Sequence, residues 1–322
     1  MADNKEKEPM KITLRTTNRE EWLAHRQMGI GSSEVATILG LNPWETPYQL
    51  WRRKMGIDEG KQENFAMKAG HYLEDAVSRF WMDETGHQVI KSSAGDWVVF
   101  DDAAPHRRVS PDRTFWLNGK AHNAQNKGIL ECKTTQLKVS EDDIPKHWFC
   151  QLQYQMGVMG VSHGALAWLV SGREFGHREF DFNPALFTWI CEEVDKFWTV
   201  NILDNREPDL VNTADILAKF NQHTEGKKLE ATDELCSTVT NLRIFKDQKK
   251  ELEKQIAEAE ERIKLAMLDA ETLTYMGTTL ATWRTSKPSR KLDTRTLAED
   301  IPAEVLERHM TEVPGTRRFN LK

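Results

Sequence analysis

What the chain lacks narrows it first. Its four cysteines, Cys132, Cys150, Cys191 and Cys236, are scattered with no CxxC pair, which disfavours a structural zinc or an iron–sulfur cluster and leaves reduced thiols as the expectation. No uninterrupted apolar run approaches the roughly 20 residues of a membrane helix. The opening "MADNKEKEPM" lacks the apolar segment of a signal peptide, so a cytoplasmic protein is expected. Excess basic charge is also missing: the formal net charge is -6. Bulk charge therefore does not announce a nucleic-acid binder. Any such contact has to use local patches such as Arg52-Arg53-Lys54, Arg107-Arg108 and Arg317-Arg318. The chain has no internal repeat and no low-complexity tract.

What is present describes a globular protein: 322 residues, 39% hydrophobic and 29% charged, with 11 Trp and 13 Phe. From about Glu20 the pattern is helical. "GIGSSEVATILG" reads as a glycine turn, a Ser N-cap and a short helix stopped by Gly40, and in "TPYQLWRRKMG" Thr46 caps, Pro47 takes the first helical position and Gly56 ends the helix. A longer amphipathic helix is predicted from about Gln62 to Glu84, with Gly86 just past its end. Strand-like runs follow in "HQVIKSS", "DWVVF", "HRRVSPDRTFW" and "GILECKTT". A helix from about Pro145 to Met159, a hairpin of "HGALAWLVS" and "REFGHREFDF", and a helix capped by Asn183 complete this part. After "NREPDL" the character changes. One long helix is predicted from about Leu235 to Leu268, its narrow seam of Phe245, Leu252, Ile256, Ala259, Ile263 and Ala266 interrupted by Lys249, then a hairpin in "ETLTYMG-TTLATWRT". The element order is α/β with a mixed sheet, followed by a smaller α+β tail. The expected divisions are a flexible N-terminus over 1–19, a core over 20–210 and an extension over 211–322.

One group of residues points to chemistry. Asp112 reads as the end of a strand in "VSPDRTF", and Glu131 and Lys133 come 19 and 21 residues later on what is predicted to be the neighbouring strand. Hairpin pairing brings all three to one end of a sheet, with strands about 5 Å apart. Two carboxylates beside one ammonium can hold Mg²⁺ and orient a water for phosphodiester hydrolysis. Taken singly, a Glu-x-Lys is more often a solvated strand edge and a Pro-Asp more often a turn, so the residues alone leave both readings open.

"PD" at Pro111-Asp112 followed by "ECK" at Glu131-Cys132-Lys133 resembles the PD-(D/E)xK nuclease motif. With "RQMGIGSSEVATILG", "AGHYLED" and "CQLQYQMGVMG" in the same order, the stretch from about Trp22 to Gly160 resembles the lambda exonuclease and YqaJ-type viral recombinase family of phage and prophage alkaline exonucleases. The tail segments "ATWRTSKPSR" and "RRFNLK" are similar to the C-terminal segments of YqaJ-type members, which the shorter lambda enzyme does not share.

The resemblance implies a PD-(D/E)xK restriction-endonuclease-like core, a mixed central sheet flanked by helices, with a C-terminal α+β extension containing the long helix. It implies a Mg²⁺-dependent exonuclease, with Mn²⁺ able to substitute and two ions per site, that degrades the 5′-ended strand of duplex DNA and leaves 3′ overhangs for recombination by annealing. Asp112, Glu131, the Cys132 backbone carbonyl and Glu74 would hold metal, and Lys133 would position the nucleophile. Arg26 and Ser33 match the positions that grip the 5′-terminal phosphate, with Ser32 a further candidate; for Ser33, plain helix capping is an equal alternative. Gln151 and Gln153 fall where the family carries a site glutamine. Residues two apart on a helix point differently, and Gln153 is favoured because it aligns best. His147 is a weaker candidate, and "GLNPW" and Trp51 read as packing, near where family enzymes split the duplex end. The family implies a homotrimeric ring and suggests a phage single-strand annealing protein as partner. The alternatives are another PD-(D/E)xK nuclease, RecB-like or endonucleolytic, and a non-catalytic DNA-end-binding adaptor.

Overall fold

The computed structural model describes residues 11–17, 19–58, 64–90, 97–290, 297, 301–312 and 315–321. It falls into two units that divide between Ile216 and Leu217. In the first, Ile12 and Leu14 alternate with exposed neighbours along strand β1 (Lys11–Arg15). This strand pairs antiparallel with β4 (Trp97–Asp101), and Lys11 closes the edge with an ion pair to Asp101 at 3.0 Å. Residues 11–15 of the expected flexible terminus form this strand, and residues 1–10 lie outside the described residues.

Helix α1 (Arg19–Gln27) leads into the short strand β2 (Ile30–Gly31) and helix α2 (Ser32–Ile38), and then α3 (Pro47–Lys54). Thr46, Pro47 and Gly56 take the predicted positions: the Thr46 hydroxyl accepts from the Gln49 N–H at 3.1 Å, and Gly56 has φ +68°. The cap of α2 differs from the expectation. Its N-cap is Gly31, and Glu34 reaches back to accept the Gly31 N–H at 2.8 Å. A third-position carboxylate performs the capping, which releases the serine hydroxyls for other partners.

Helix α4 (Phe65–Thr85) is capped by Asn64 and stopped by Gly86 at φ +73°; residues 59–63, where its start was predicted, lie outside the described residues. The run "HRRVSPDRTFW" is two strands rather than one. β5 (Ala104–Val109) ends before Ser110-Pro111-Asp112 and β6 (Arg113–Trp116) begins after it, in a different sheet. Pro111 cannot donate to a ladder, and its carbonyl accepts from the Trp97 indole at 3.3 Å. Asp112 thus sits in the crossover between two sheets.

With β3 (Gln88–Ile90), β7 (Lys127–Thr135), β8 (His163–Val170) and β9 (Glu174–Asp181), β6 forms a mixed five-stranded sheet in the order β3-β6-β7-β8-β9. Only the β7/β8 pair is parallel, and helix α5 (Lys146–Met159) makes the crossover between them. The second sheet has the order β1-β4-β5-β2. Helix α5 packs against strands of both sheets and against α2 and α6 (Pro184–Lys196), while α4 covers the other face of the five-stranded sheet. Val77 and Trp81 of α4 are fully buried there with Phe115, Leu130 and Cys132, and each large side chain so buried contributes about 1.5–3 kcal/mol. Ile129 faces the other way, toward Leu152 and Met156 of α5. The period of two along β7 therefore sends Ile129, Glu131 and Lys133 toward α5, and Leu130 and Cys132 toward α4.

A π-helical turn (Phe197–Leu203) and α7 (Thr213–Lys219) follow. The second unit holds the predicted long helix as α8 (Asp233–Met267), the hairpin β10 (Thr272–Tyr275) and β11 (Thr278–Thr282), and α9 (Ala303–His309). Phe245, Leu252, Ile256 and Ile263 of the seam are exposed. Among the described residues, no helix is long and apolar enough to cross a membrane.

Candidate active site

The register of β6 on β7 sets Arg113 opposite Leu130, so Asp112 reaches the turn of chain beside Glu131. There its Oδ2 accepts the Cys132 N–H at 2.8 Å. Glu131 is 3% exposed and is held on both oxygens. Lys133 Nζ donates to Oε1 at 2.7 Å and Gln151 Nε2 donates to the same atom, while Gln155 Nε2 donates to Oε2 at 2.8 Å. Lys133 donates again to Gln151 Oε1 at 2.9 Å, so lysine, glutamate and glutamine form a closed triangle. Gln155 also reaches Ser32 Oγ at 3.1 Å and so ties the Glu131 carboxylate to the start of α2.

Gln151, and not the favoured Gln153, is the glutamine at the site. Gln153 donates to the Asp181 carbonyl at 3.0 Å and accepts the Asn183 N–H at 2.8 Å, fastening the link from β9 to α6. The reason is helical periodicity: residues 151 and 155 share the face of α5 turned to β7, and 153 is on the opposite side. Gln155 was missed, although the Gln-x-x-x-Gln spacing in "QLQYQ" carried the signal. We expect Gln151→Ala to lower the turnover of the site by about 10²-fold, in the range for losing one preset polar group. Gln153→Ala should instead cost about 1–3 kcal/mol in urea unfolding, the penalty of unsatisfied buried polar groups, with kcat close to wild type. Single-turnover rates and unfolding midpoints for the pair check this.

Burial raises Asp112 well above the ordinary aspartate value, and the Glu131 and Glu74 charges push it further. Glu74 is raised by burial, partly offset by His71, whose Nδ1 lies 3.0 Å from Glu74 Oε1. Burial alone would lower Lys133, but the Glu131 and Asp112 carboxylates outweigh it and hold the ammonium above its ordinary value. Burial, first of all, pushes the Cys132 thiol well up, and the thiol packs with Val77 and Trp81 away from Lys133's face.

A cavity of about 210 Å³ is lined by Asp112, Glu131, Lys133 and Gln151 together with Arg26, Ser32 and Ser33. Arg26 Nη2 donates to Ser33 Oγ at 2.7 Å, and its guanidinium lies 4.7 Å from the Trp22 ring centre. Ser110 and Arg108, which sequence reasoning did not assign to the site, also line it. A second cavity of about 680 Å³ is lined by Glu74, Met67, Gly70 and the exposed Trp44, and the two share His71 and Lys133. His147 lines neither cavity; its ring meets Trp44 edge-on at 5.4 Å and its Nε2 is buried with no hydrogen-bond partner among the described residues. Trp51 is buried, its indole donating to the Asn201 carbonyl at 3.0 Å, which is packing.

The donor chemistry suits a hard divalent cation: Asp112, Glu131 and Glu74 are carboxylates within electrostatic reach of one another, and the Cys132 peptide supplies a carbonyl. Among the described residues, no three His, Cys, Asp or Glu side chains are close enough to enclose an ion by themselves. A divalent cation that keeps much of its shell as water or phosphate oxygen fits such a half-open set.

Residues 21–162 match the family described as the YqaJ-like viral recombinase domain. Over 319 residues the chain is 32% identical to the uncharacterized protein YqaJ of Bacillus subtilis (strain 168), covering 95% of this chain and 94% of that one. The chain belongs to the YqaJ-like viral recombinase family. Among solved structures, this YqaJ-family chain is similar to the alkaline exonuclease LHK-Exo from Laribacter hongkongensis, at 18% identity and a TM-score of 0.43 over 57% of this chain and 93% of that one. It is also similar to LHK-Exo in complex with dAMP, at 19% identity and a TM-score of 0.44 over the same shares. A phage related exonuclease from Haemophilus somnus 129PT is similar at 10% identity and a TM-score of 0.37, over 55% of this chain and 96% of that one.

Proposed function

We propose that this YqaJ-family chain is a Mg²⁺-dependent exonuclease that takes double-stranded DNA ends and degrades the 5′-ended strand, leaving a 3′ overhang for annealing. One observation carries the reading: Arg26 and Ser33 line the same 210 Å³ cavity as Asp112, Glu131, Lys133 and Gln151. A terminal phosphate held by Arg26 would leave the first phosphodiester beside the carboxylates, and polarity follows from that anchoring.

Asp112, Glu131, Glu74 and the Cys132 carbonyl would hold the metal, which when bound supplies charge stabilisation for the attacking and leaving oxygens. The chain's own groups do the rest. Lys133, aligned by Glu131 and Gln151, orients the attacking water with its ammonium. Gln155 and Gln151 fix the Glu131 carboxylate, so that it need not reorganise during the reaction. The Arg26 fork, steadied by Ser33 and Trp22, holds the 5′ end. A homotrimeric ring and delivery of the 3′ strand to an annealing protein belong to the same proposal and rest on the family resemblance.

The test is linear duplex DNA with 5′-phosphate or 5′-hydroxyl ends, with and without Mg²⁺. Metal-dependent loss of the 5′-ended strand, faster from phosphorylated ends, is the expected result. Nicking of closed circles or attack from the 3′ end would make the chain a different nuclease, and no degradation under any metal would make it an end-binding adaptor. Arg26→Ala should reduce the phosphate preference by about tenfold or more, the fold-change of one charged hydrogen bond. An unchanged preference would remove Arg26 from the phosphate pocket.

A further inference from the structure

The arginines of the first unit differ in what balances their charge. Arg52 pairs with Asp58, Arg53 with Glu34 and Glu45, and Arg107 with Asp195. Arg108 is only 6% exposed, yet among the described residues no carboxylate pairs with it. Its Nε donates to the Pro105 carbonyl at 2.9 Å and its Nη1 to the His25 carbonyl at 3.0 Å, and the guanidinium lies 4.6 Å from the Phe100 ring centre. Carbonyls satisfy the N–H groups but do not neutralise the charge, and burial draws the guanidinium below its ordinary value with no anion opposing it. Arg26 also has no ion pair among the described residues: a hydroxyl and an indole ring touch it, and the Glu34 carboxylate feels its charge without pairing with it.

Both cations stand against one residue. The β2/β5 ladder pairs Gly31 with Arg108, and a Cβ on Gly31 would fall 3.1 Å from Arg26 Nη2. Both line the cavity that also holds Ser33, and its two carboxylates are engaged elsewhere, Glu131 by Lys133, Gln151 and Gln155 and Asp112 by the Cys132 N–H. Two guanidinium groups that line one cavity, neither in an ion pair among the described residues, are a site for an anion of more than one charge. A 5′-terminal phosphomonoester carries about 1.5 to 2 negative charges near neutral pH, whereas an internal diester carries one and a 5′-hydroxyl none.

The geometry points to Arg108 as a second phosphate ligand: with Arg26 it holds the 5′-terminal phosphomonoester, and it makes the site select that terminus over a 5′-hydroxyl or an internal diester. The inference rests on the function proposed above and adds to it a residue and a charge requirement. A purely structural Arg108, capping the last carbonyls of α1 through His25, would lower stability and slow every substrate alike. Selection changes the ratio between substrates.

The experiment compares initial rates on 5′-phosphorylated and 5′-hydroxyl duplex ends for wild type, Arg108→Gln, Arg108→Lys and the control Arg107→Gln. Arg108→Gln should reduce the phosphate-to-hydroxyl ratio by about tenfold or more, Arg108→Lys should fall between it and wild type, and Arg107→Gln should keep the wild-type ratio. A wild-type ratio in folded Arg108→Gln overturns the inference while leaving the proposed function standing. A wild type that ignores the 5′ group overturns both. Should Arg108→Gln fail to fold, a crystal structure of the wild type with a 5′-phosphorylated dinucleotide decides. The terminal phosphate is expected within hydrogen-bond distance of both guanidinium groups, and contact with Arg26 alone overturns the inference.

Discussion

Lys133→Ala is expected to slow degradation of linear duplex DNA by about 10²–10³-fold, the range for deleting one preset donor where charge develops. Its fold and its binding of DNA ends should be retained. Lys133 Nζ is the corner of the triangle with Glu131 and Gln151, and its side chain is 20% exposed, at the cavity wall rather than in the apolar core. Truncation therefore opens no core void. It does not strand Glu131 either, because Gln151 and Gln155 still donate to both carboxylate oxygens. The deficit should fall on kcat, with anisotropy measurements of end binding near wild type and a circular-dichroism melt confirming the fold. Wild-type turnover in Lys133→Ala would mean that the triangle is a strand-edge network and that Lys133 does not position the nucleophile.

How far the sequence could be read follows from how local each feature is. Glu131 and Lys133 are two apart on a strand, so their common face was certain once the strand was, and Thr46, Asn183 and Gly86 announced helix ends from their own chemistry. Gln153 misled because the choice between it and Gln151 depends on how α5 is rotated between two sheets, a fact fixed by Leu152 and Met156 packing on β8 and invisible in α5 alone. Asp112 looked like the end of a strand, but its position depends on Pro111 breaking the run so that the halves join different sheets. Arg108 could be seen only as part of a basic pair. That Arg107 spends its charge on Asp195 and Arg108 does not is a long-range outcome, set by where α6 lies.

Lys54→Met is expected to cost about 3–5 kcal/mol of stability, the loss typical of removing one partner from a buried ion pair. The Lys54 side chain is 1% exposed, and its ammonium donates to Glu34 Oε2 at 2.8 Å and to the Arg26 and Gly29 carbonyls at 2.8 and 2.7 Å. Methionine fills similar space but leaves two carbonyls unpaired and Glu34 dependent on Arg53 and the Gly31 N–H. Burial alone would raise Glu34, but Lys54, Arg26 and Arg53 outweigh it and hold its carboxyl down to about 2, whereas burial keeps Lys54 below the ordinary lysine value despite that pairing. A carboxyl lowered on folding contributes stability that is complete above its ordinary value of 4.5 and is lost as pH falls toward 2. Lys54→Met removes the largest of the opposing cations, so its acid unfolding should begin at a higher pH than that of wild type. Replacing both partners, as Lys54→Met with Glu34→Leu, should recover part of the loss, because no charge is then buried alone. Urea midpoints at pH 7 and acid titrations of the three variants measure this, and a single mutant as stable as wild type would show that the network holds nothing. Arg26 and Gly29 flank the turn that presents the Arg26 guanidinium. The double variant, folded but without its grip on those carbonyls, should therefore bind a 5′-phosphorylated end less tightly than wild type.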